Sequence, residues 1–344
     1  MAGFVAHLVR RVITLSIGLY YGSVVSGGLL IDFVRNGRGL FYIKKRDKRP
    51  ECLDDPALGK HKFIQLENIK LHYVEAGQPG KPLMLFVHGF PEFWFSWRYQ
   101  LREFQKDYRV VAIDQRGYNE SDAPSGIENY TIDKMVGDLK QIIPALGYDK
   151  CVLVGHDWGG IICWAFALQF PQYIERLITL NAPHPKVFLE HMNTHWSQFR
   201  KSWYMFLFQL PYLPEFWMRN MDMKQLDEFF LSEQYGVRSG IMTKEDLEAY
   251  KYAFSLHGFT CPINYYRASF AIPRARADFK PVQVPTLTVW GNKDAAIDTE
   301  VAYSAAKHVP DYTLKIVDDA SHWVQMDQPA IVNDHIRTFL KSKL

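Results

Sequence analysis

The segment Gly155-His156-Asp157-Trp158-Gly159-Gly160 sets one carboxylate in the middle of a turn made otherwise of small residues. An apolar, β-rich run over 151–154 leads into it, and an apolar helical run follows to Phe170, stopped before Pro171. The pattern predicts a buried strand, one sharp turn and a helix, with Asp157 at the tip. Glycines are needed where strand and helix pass too close for side chains. A carboxylate is a poor nucleophile for acyl transfer but suits displacement at a saturated carbon, such as that of a strained ring or an alkyl halide. The product of that attack is a covalent alkyl ester. The same residues also fit a glycine-rich strand–helix connection whose aspartate caps the helix. The turn by itself leaves both readings open.

The surrounding chain is a series of short apolar runs alternating with helical ones. Strands are expected at 83–87, 110–113, 151–154, 177–180, 286–290 and 313–317, and a hairpin at 63–66 and 69–76 around Glu67-Asn68. Helices are expected at 132–146, after Asp157, and at 330–340. Strands alternating with helices argue for a parallel, doubly wound sheet. The alternation breaks after Asn181-Ala182-Pro183-His184-Pro185, and from Lys186 to about Pro281 aromatic residues recur at helical spacing. That stretch reads as an inserted helical lid. The expected divisions are an anchor and basic linker over 1–60, core over 61–185, lid over 186–281 and core again over 282–344.

The 344 residues are 48% hydrophobic and 15% aromatic, which suits a globular core and a deep apolar pocket. A net charge of +3 gives no sign of a nucleic-acid partner. No metal-type cysteine spacing, GxGxxG after the first strand, phosphate loop or HExxH occurs, so neither cofactor nor metal is expected. Residues 12–31 contain no charge and match the roughly 20 residues that cross a bilayer as a helix. Arg10 and Arg11 precede them and a basic stretch follows. The expectation is a single-pass membrane anchor, separable from the catalytic domain; a cleaved signal peptide and a core helix are the competing readings. Sequons at Asn119 and Asn129 favour a lumenal domain, while the basic downstream flank favours the opposite orientation.

Five motifs in order carry a resemblance: His88-Gly89-Phe90-Pro91-Glu92, the Asp157 turn, Asn264-Tyr265-Tyr266-Arg267, Gly291-Asn292-Lys293-Asp294, and Ser321-His322-Trp323 with Met326-Asp327. From about His61 onward the chain resembles the α/β-hydrolase-fold epoxide hydrolases, in particular their membrane-anchored 3/4-type branch. The resemblance implies a mostly parallel eight-stranded sheet with helices on both faces, an inserted helical lid and an N-terminal transmembrane helix, with the endoplasmic reticulum as the expected compartment. One departure is Asn119, which stands where the family's Asp-x-Arg-Gly-x-Gly-x-Ser turn has glycine. Asparagine tolerates the left-handed conformation better than other non-glycine residues, so the turn is expected to survive.

The resemblance also implies roles. Asp157 is the nucleophile, His322 the general base, and Asp294 the acid that orients it, with Asp298 as a rival. Backbone N–H groups of Phe90 and Trp158 form the oxyanion hole, and the Phe90–Pro91 bond is expected to be cis. Tyr266 is the proton donor to the leaving alkoxide. A second lid tyrosine is expected at Tyr212, with Tyr204 the weaker candidate. The substrate is a small lipophilic epoxide, such as one derived from a fatty acid, and the co-reactant is water. A hydrolytic dehalogenase with the same nucleophile, and a catalytically silent membrane-anchored binding protein, are the alternative readings.

Overall fold

The computed structural model describes residues 2–272 and 280–342. Eight strands form one sheet: β1 Lys60–Gln65, β2 Lys70–Ala76, β3 Leu83–Val87, β4 Arg109–Ile113, β5 Cys151–His156, β6 Ile174–Leu180, β7 Thr286–Gly291 and β8 Tyr312–Val317. Their order across the sheet is β1-β2-β4-β3-β5-β6-β7-β8. The hairpin β1–β2 and the β2–β4 pair are antiparallel, and every other neighbour is parallel. The hairpin closes with the Leu66 N–H donating to Ile69 O.

The central strands β3 and β5 are buried along their whole length, which explains their unbroken apolar sequence: helices cover both faces of a parallel sheet. Helices Ile132–Ala145, Asp157–Gln169 and Pro329–Lys341 lie among these coverings. Thr131 caps the first of them by accepting from the Lys134 N–H. The parallel strands all point the same way, so the loops after β3, β5, β6, β7 and β8 gather at one edge of the sheet. In doubly wound sheets that edge is where ligands bind.

Between β6 and β7 the chain leaves the sheet, and its described residues form six helices: Pro185–Thr194, Trp196–Lys201, Trp203–Leu207, Leu213–Leu231, Lys244–His257 and Thr260–Ala271. The fourth is kinked, with Asn220 extended and Met221, Asp222 and Met223 left-handed. Residues 273–279, inside the range expected for the lid, lie outside the described residues. The expected turn at Asn119 is present at φ +44°, with the Asn119 side-chain amide donating to Asp114 Oδ2 at 2.7 Å. That bond buries Asn119 and removes its sequon from the surface, whereas Asn129 is half-buried.

The N-terminus differs from expectation in two ways. Its helix runs over Ala2–Asn36, well beyond 12–31, and it is the one helix among the described residues long and apolar enough to cross a membrane. It is also not separate from the globular part. The Tyr21 ring packs on Trp203 of the lid at 5.9 Å, and Asp32 forms an ion pair with Lys224. An apolar helix reads the same whether its partner is lipid or protein, so the sequence pattern did not reveal this contact.

Leu153 sits fully buried in β5 between Leu85 and Leu177 of the flanking strands. Leu153→Ala is expected to lower unfolding free energy by about 2–5 kcal/mol, through lost burial and an unfilled cavity. A denaturant titration of the detergent-solubilised chain measures this as a lower midpoint at unchanged slope.

Candidate active site

Asp157 follows β5 at φ +48°, a conformation uncommon outside glycine, asparagine and aspartate. Close packing holds it there. A Cβ on Gly89 would lie 2.5 Å from Asp157 Oδ1, and one on Gly159 only 2.1 Å from the Val87 carbonyl oxygen. Glycine at both positions lets the β3 loop and the elbow helix close around the carboxylate from two sides. The Phe90 N–H then donates to Asp157 Oδ1 at 2.8 Å, and the Phe90–Pro91 bond is cis. Asp157 and Trp158 open the helix, whose first-turn N–H groups lack intrahelical acceptors and favour negative charge nearby. One carboxylate oxygen is therefore held by backbone, and the other, Oδ2, lies 3.5 Å from His322 Nε2.

His322 comes from the loop after β8. Its Nδ1–H donates to Asp294 Oδ2 at 2.7 Å, which orients the ring with Nε2 toward Asp157. Asp294, after β7, is itself saturated with donors: Asn181 Nδ2 at 2.7 Å and the N–H groups of Ala296 and Ile297 at 2.8 and 2.9 Å. Burial works against the Asp294 charge, but His322, Asn181 and the Ile297 N–H outweigh it and hold the carboxyl below the usual range. Asp298 is engaged elsewhere, by Ser197 at 2.6 Å, Lys201 at 3.0 Å and His191 at 3.1 Å. Burial pulls the His322 imidazolium down, yet Asp294 and Asp157 on its two sides more than compensate and push it up to about 10. The resting site is thus an imidazolium between two carboxylates.

Above these groups lies a cavity of about 790 Å³. Asp157 and His322 form part of its floor, and Tyr204, Tyr266, Trp203 and Trp217 of the lid are among its walls. The Tyr266 ring meets Trp158 edge-on at 5.0 Å and Tyr204 at 5.7 Å. Burial first, then the neighbouring acidic groups, pushes both phenols upward, so both stay protonated.

The chain matches the α/β hydrolase fold family model over residues 82–329. It is 48% identical to human epoxide hydrolase 4 over 94% of this chain and 91% of that protein. It is 45% identical to Caenorhabditis elegans epoxide hydrolase 1 over 98% of this chain and 83% of that one. Among solved structures, an inhibitor complex of the Bacillus megaterium epoxide hydrolase superposes with a TM-score of 0.76 at 35% identity, covering 82% of this chain and all of that one.

The chain belongs to the epoxide hydrolases of the α/β-hydrolase fold.

Within that family frame, Tyr212 needs correcting. It is 85% exposed at φ +61°, does not line the cavity, and N-caps the helix Leu213–Leu231. Leu210 and Leu213 on either side of it pack toward the N-terminal helix at Gly22, which turns Tyr212 outward. Tyr204 occupies the place beside Tyr266 instead. The flanking Pro211 and Pro214 were the available signal, because they mark a helix-start turn rather than a wall.

Two further residues, not singled out by the motif reading, support the loop that carries His322. Glu92 accepts from the Gly89 N–H at 2.7 Å, from His156 Nδ1 at 2.6 Å and from Gln325 Nε2 at 2.8 Å. His156 in turn places Nε2 2.8 Å from the carbonyl oxygen of His322. This buried chain ties together the loops after β3, β5 and β8. A separate group, His191, Asp298 and Glu300, brings three possible metal ligands together but includes none of the residues around Asp157.

Two measurements test this geometry. Tyr204→Phe is expected to slow epoxide turnover by about 10- to 1,000-fold, softened from a full general-acid loss because Tyr266 remains. Tyr212→Phe is expected to leave it within about twofold, since that ring faces solvent. The second concerns pH. The His322 pKa rises from 6.5 in the unfolded chain to about 10 in the folded one. Its stabilising contribution is therefore complete below about 6.5 and is lost as pH rises through about 10. The melting-temperature advantage of the native chain over His322→Gln should shrink across that window and stay constant below it.

Proposed function

We propose that the protein hydrolyses lipophilic epoxides to vicinal diols through a covalent ester on Asp157. The observation that carries this reading is a backbone-held carboxylate facing an imidazolium, beneath two protonated phenols in an aromatic cavity. Asp157 Oδ2 attacks a ring carbon and the C–O bond breaks. Tyr204 and Tyr266 hold the departing oxygen and protonate it. A solvent proton restores the phenol, and the imidazolium, no longer facing a carboxylate, gives its proton to solvent, so the site passes from carboxylate plus imidazolium to ester plus neutral imidazole.

Esterification removes the negative charge 3.5 Å from Nε2. His322 then loses one of the two charges that raise its pKa and becomes able to accept a proton. It takes one from water, which attacks the Asp157 carbonyl carbon. The resulting oxyanion sits where the Phe90 N–H already points. Collapse releases the diol and returns the carboxylate and imidazolium, so protons balance over the cycle.

An aromatic wall supports a lipophilic substrate, and Arg200 on the same cavity offers a cation to a carboxylate end, as in an epoxide of a fatty acid. The N-terminal helix supports membrane attachment. Two phenols, rather than Trp and Asn side chains arranged for halide, favour the epoxide over an alkyl halide.

The test is a pair of variants mixed with an epoxide and analysed by mass spectrometry. Asp157→Asn should lose steady-state turnover and form no adduct. His322→Gln should still open the ring but fail to hydrolyse the ester, so a mass increase equal to the epoxide accumulates on a peptide containing Asp157. Adduct on another residue, or diol formation by fresh Asp157→Asn at the native rate, would reject the covalent route.

A further inference from the structure

The N-terminal helix has two apolar sides, and only one of them is covered. Thr14, Gly18, Gly22 and Leu29 are buried and Tyr21 and Asp32 half-buried, a stripe stepping by threes and fours along one face. The fit is close. A Cβ on Gly18 would lie 2.7 Å from the Phe206 carbonyl oxygen, and one on Gly22 would lie 2.6 Å from Leu210 Cδ1. From Thr14 to Asp32 this contact runs about 27 Å at 1.5 Å per residue.

That length is nearly the whole hydrocarbon thickness of a bilayer, about 30 Å. A helix docked in this way cannot also cross the membrane without drawing its lid partners in with it. Those partners include Lys224, which pairs with Asp32, and Leu210, which packs at Gly22 and whose carbonyl accepts from Arg267 at 2.6 Å while Arg267 pairs with Glu215. Charged groups carried into the hydrocarbon in this way are costly and correspondingly rare.

The opposite face has no protein partner among the described residues. Val12, Leu19, Tyr20, Val24 and Leu30 are each more than half exposed there. An apolar strip of that size on a soluble surface needs a cover. Arg11 before the strip and Arg35 and Arg38 after it are exposed cations suited to anionic headgroups, and Tyr20 and Tyr42 are exposed aromatics of the kind that sit at a lipid interface.

We propose that the N-terminal helix is an in-plane membrane-binding element, with one face on the lid, the other sunk into a single anionic leaflet, and no crossing of the bilayer. The arrangement brings the cavity close to the lipid. Tyr21 packs on Trp203, a cavity wall, and Phe206 beneath Gly18 connects through Phe199 to Trp196, a cavity residue that is 70% exposed. A lipophilic substrate dissolved in that leaflet has a short path to Asp157. The attachment mode is independent of which reaction the site performs.

Protease protection of the full chain, carrying an epitope tag at its N-terminus and expressed into sealed microsomes, tests this without any turnover assay. An in-plane helix leaves the tag and the catalytic domain on the same side. Both should be lost in intact vesicles, or both protected until detergent is added. Loss of one with protection of the other means that the helix crosses, and overturns the proposal. So does a chain that stays unbound to vesicles of phosphatidylcholine with phosphatidylserine and sediments as a dimer, because the exposed face would then be covered by a second copy.

Discussion

A carboxylate at the end of a fully buried strand is the constraint on which this molecule depends. Asp157 must leave the strand in a left-handed conformation to face the cavity, and a non-glycine residue holds that conformation only when its surroundings allow no alternative. The surroundings here are backbone. Val87, Gly89 and Gly159 approach so closely that the turn has no room to relax. The order of the central strands follows from the same need: β3 lies beside β5, so the loop that supplies the Phe90 N–H starts next to the turn that supplies the carboxylate.

Charge is arranged around that turn with equal economy. Three titratable groups from three loops form a row, carboxylate, imidazolium, carboxylate, and each middle contact is made by a specific ring nitrogen. Asp294 never needs to change its protonation state, because its other lone pairs are taken by an amide and two backbone N–H groups. The proton that matters resides on His322, and its hold there depends on whether Asp157 is charged. The network of Glu92, His156 and Gln325 keeps the loop carrying His322 in register without touching the reacting atoms.

Much of this was legible in the sequence, for a physical reason. Glycines around a lone Asp, and strands without polar interruption, are local signatures of close packing and two-sided burial, so the expected strands agree with those observed to within a few residues at their ends. The choice of Asp294 over Asp298 also followed from its distance to a strand end. What could not be read was non-local. Tyr204 and Tyr212 lie in the same aromatic-rich stretch, and only the packing of Leu210 and Leu213 onto the N-terminal helix turns one inward and the other out. Glu92 and His156 have side chains that meet across the sheet edge, a contact with no periodic trace. The apolar N-terminal helix carried a pattern that lipid and lid satisfy equally well.

Asp157, His322 and Asp294 all stand on loops of the sheet, whereas Tyr204 and Tyr266 ride on helices inserted between β6 and β7. The floor of the cavity and its lid walls therefore belong to two pieces of chain that can be substituted independently. In the proposed reaction, cavity shape and leaving-group assistance belong to the lid, while the groups for ester hydrolysis belong to the sheet. A single scaffold of this kind can admit epoxides of different shape without rebuilding the row of charged groups beneath them.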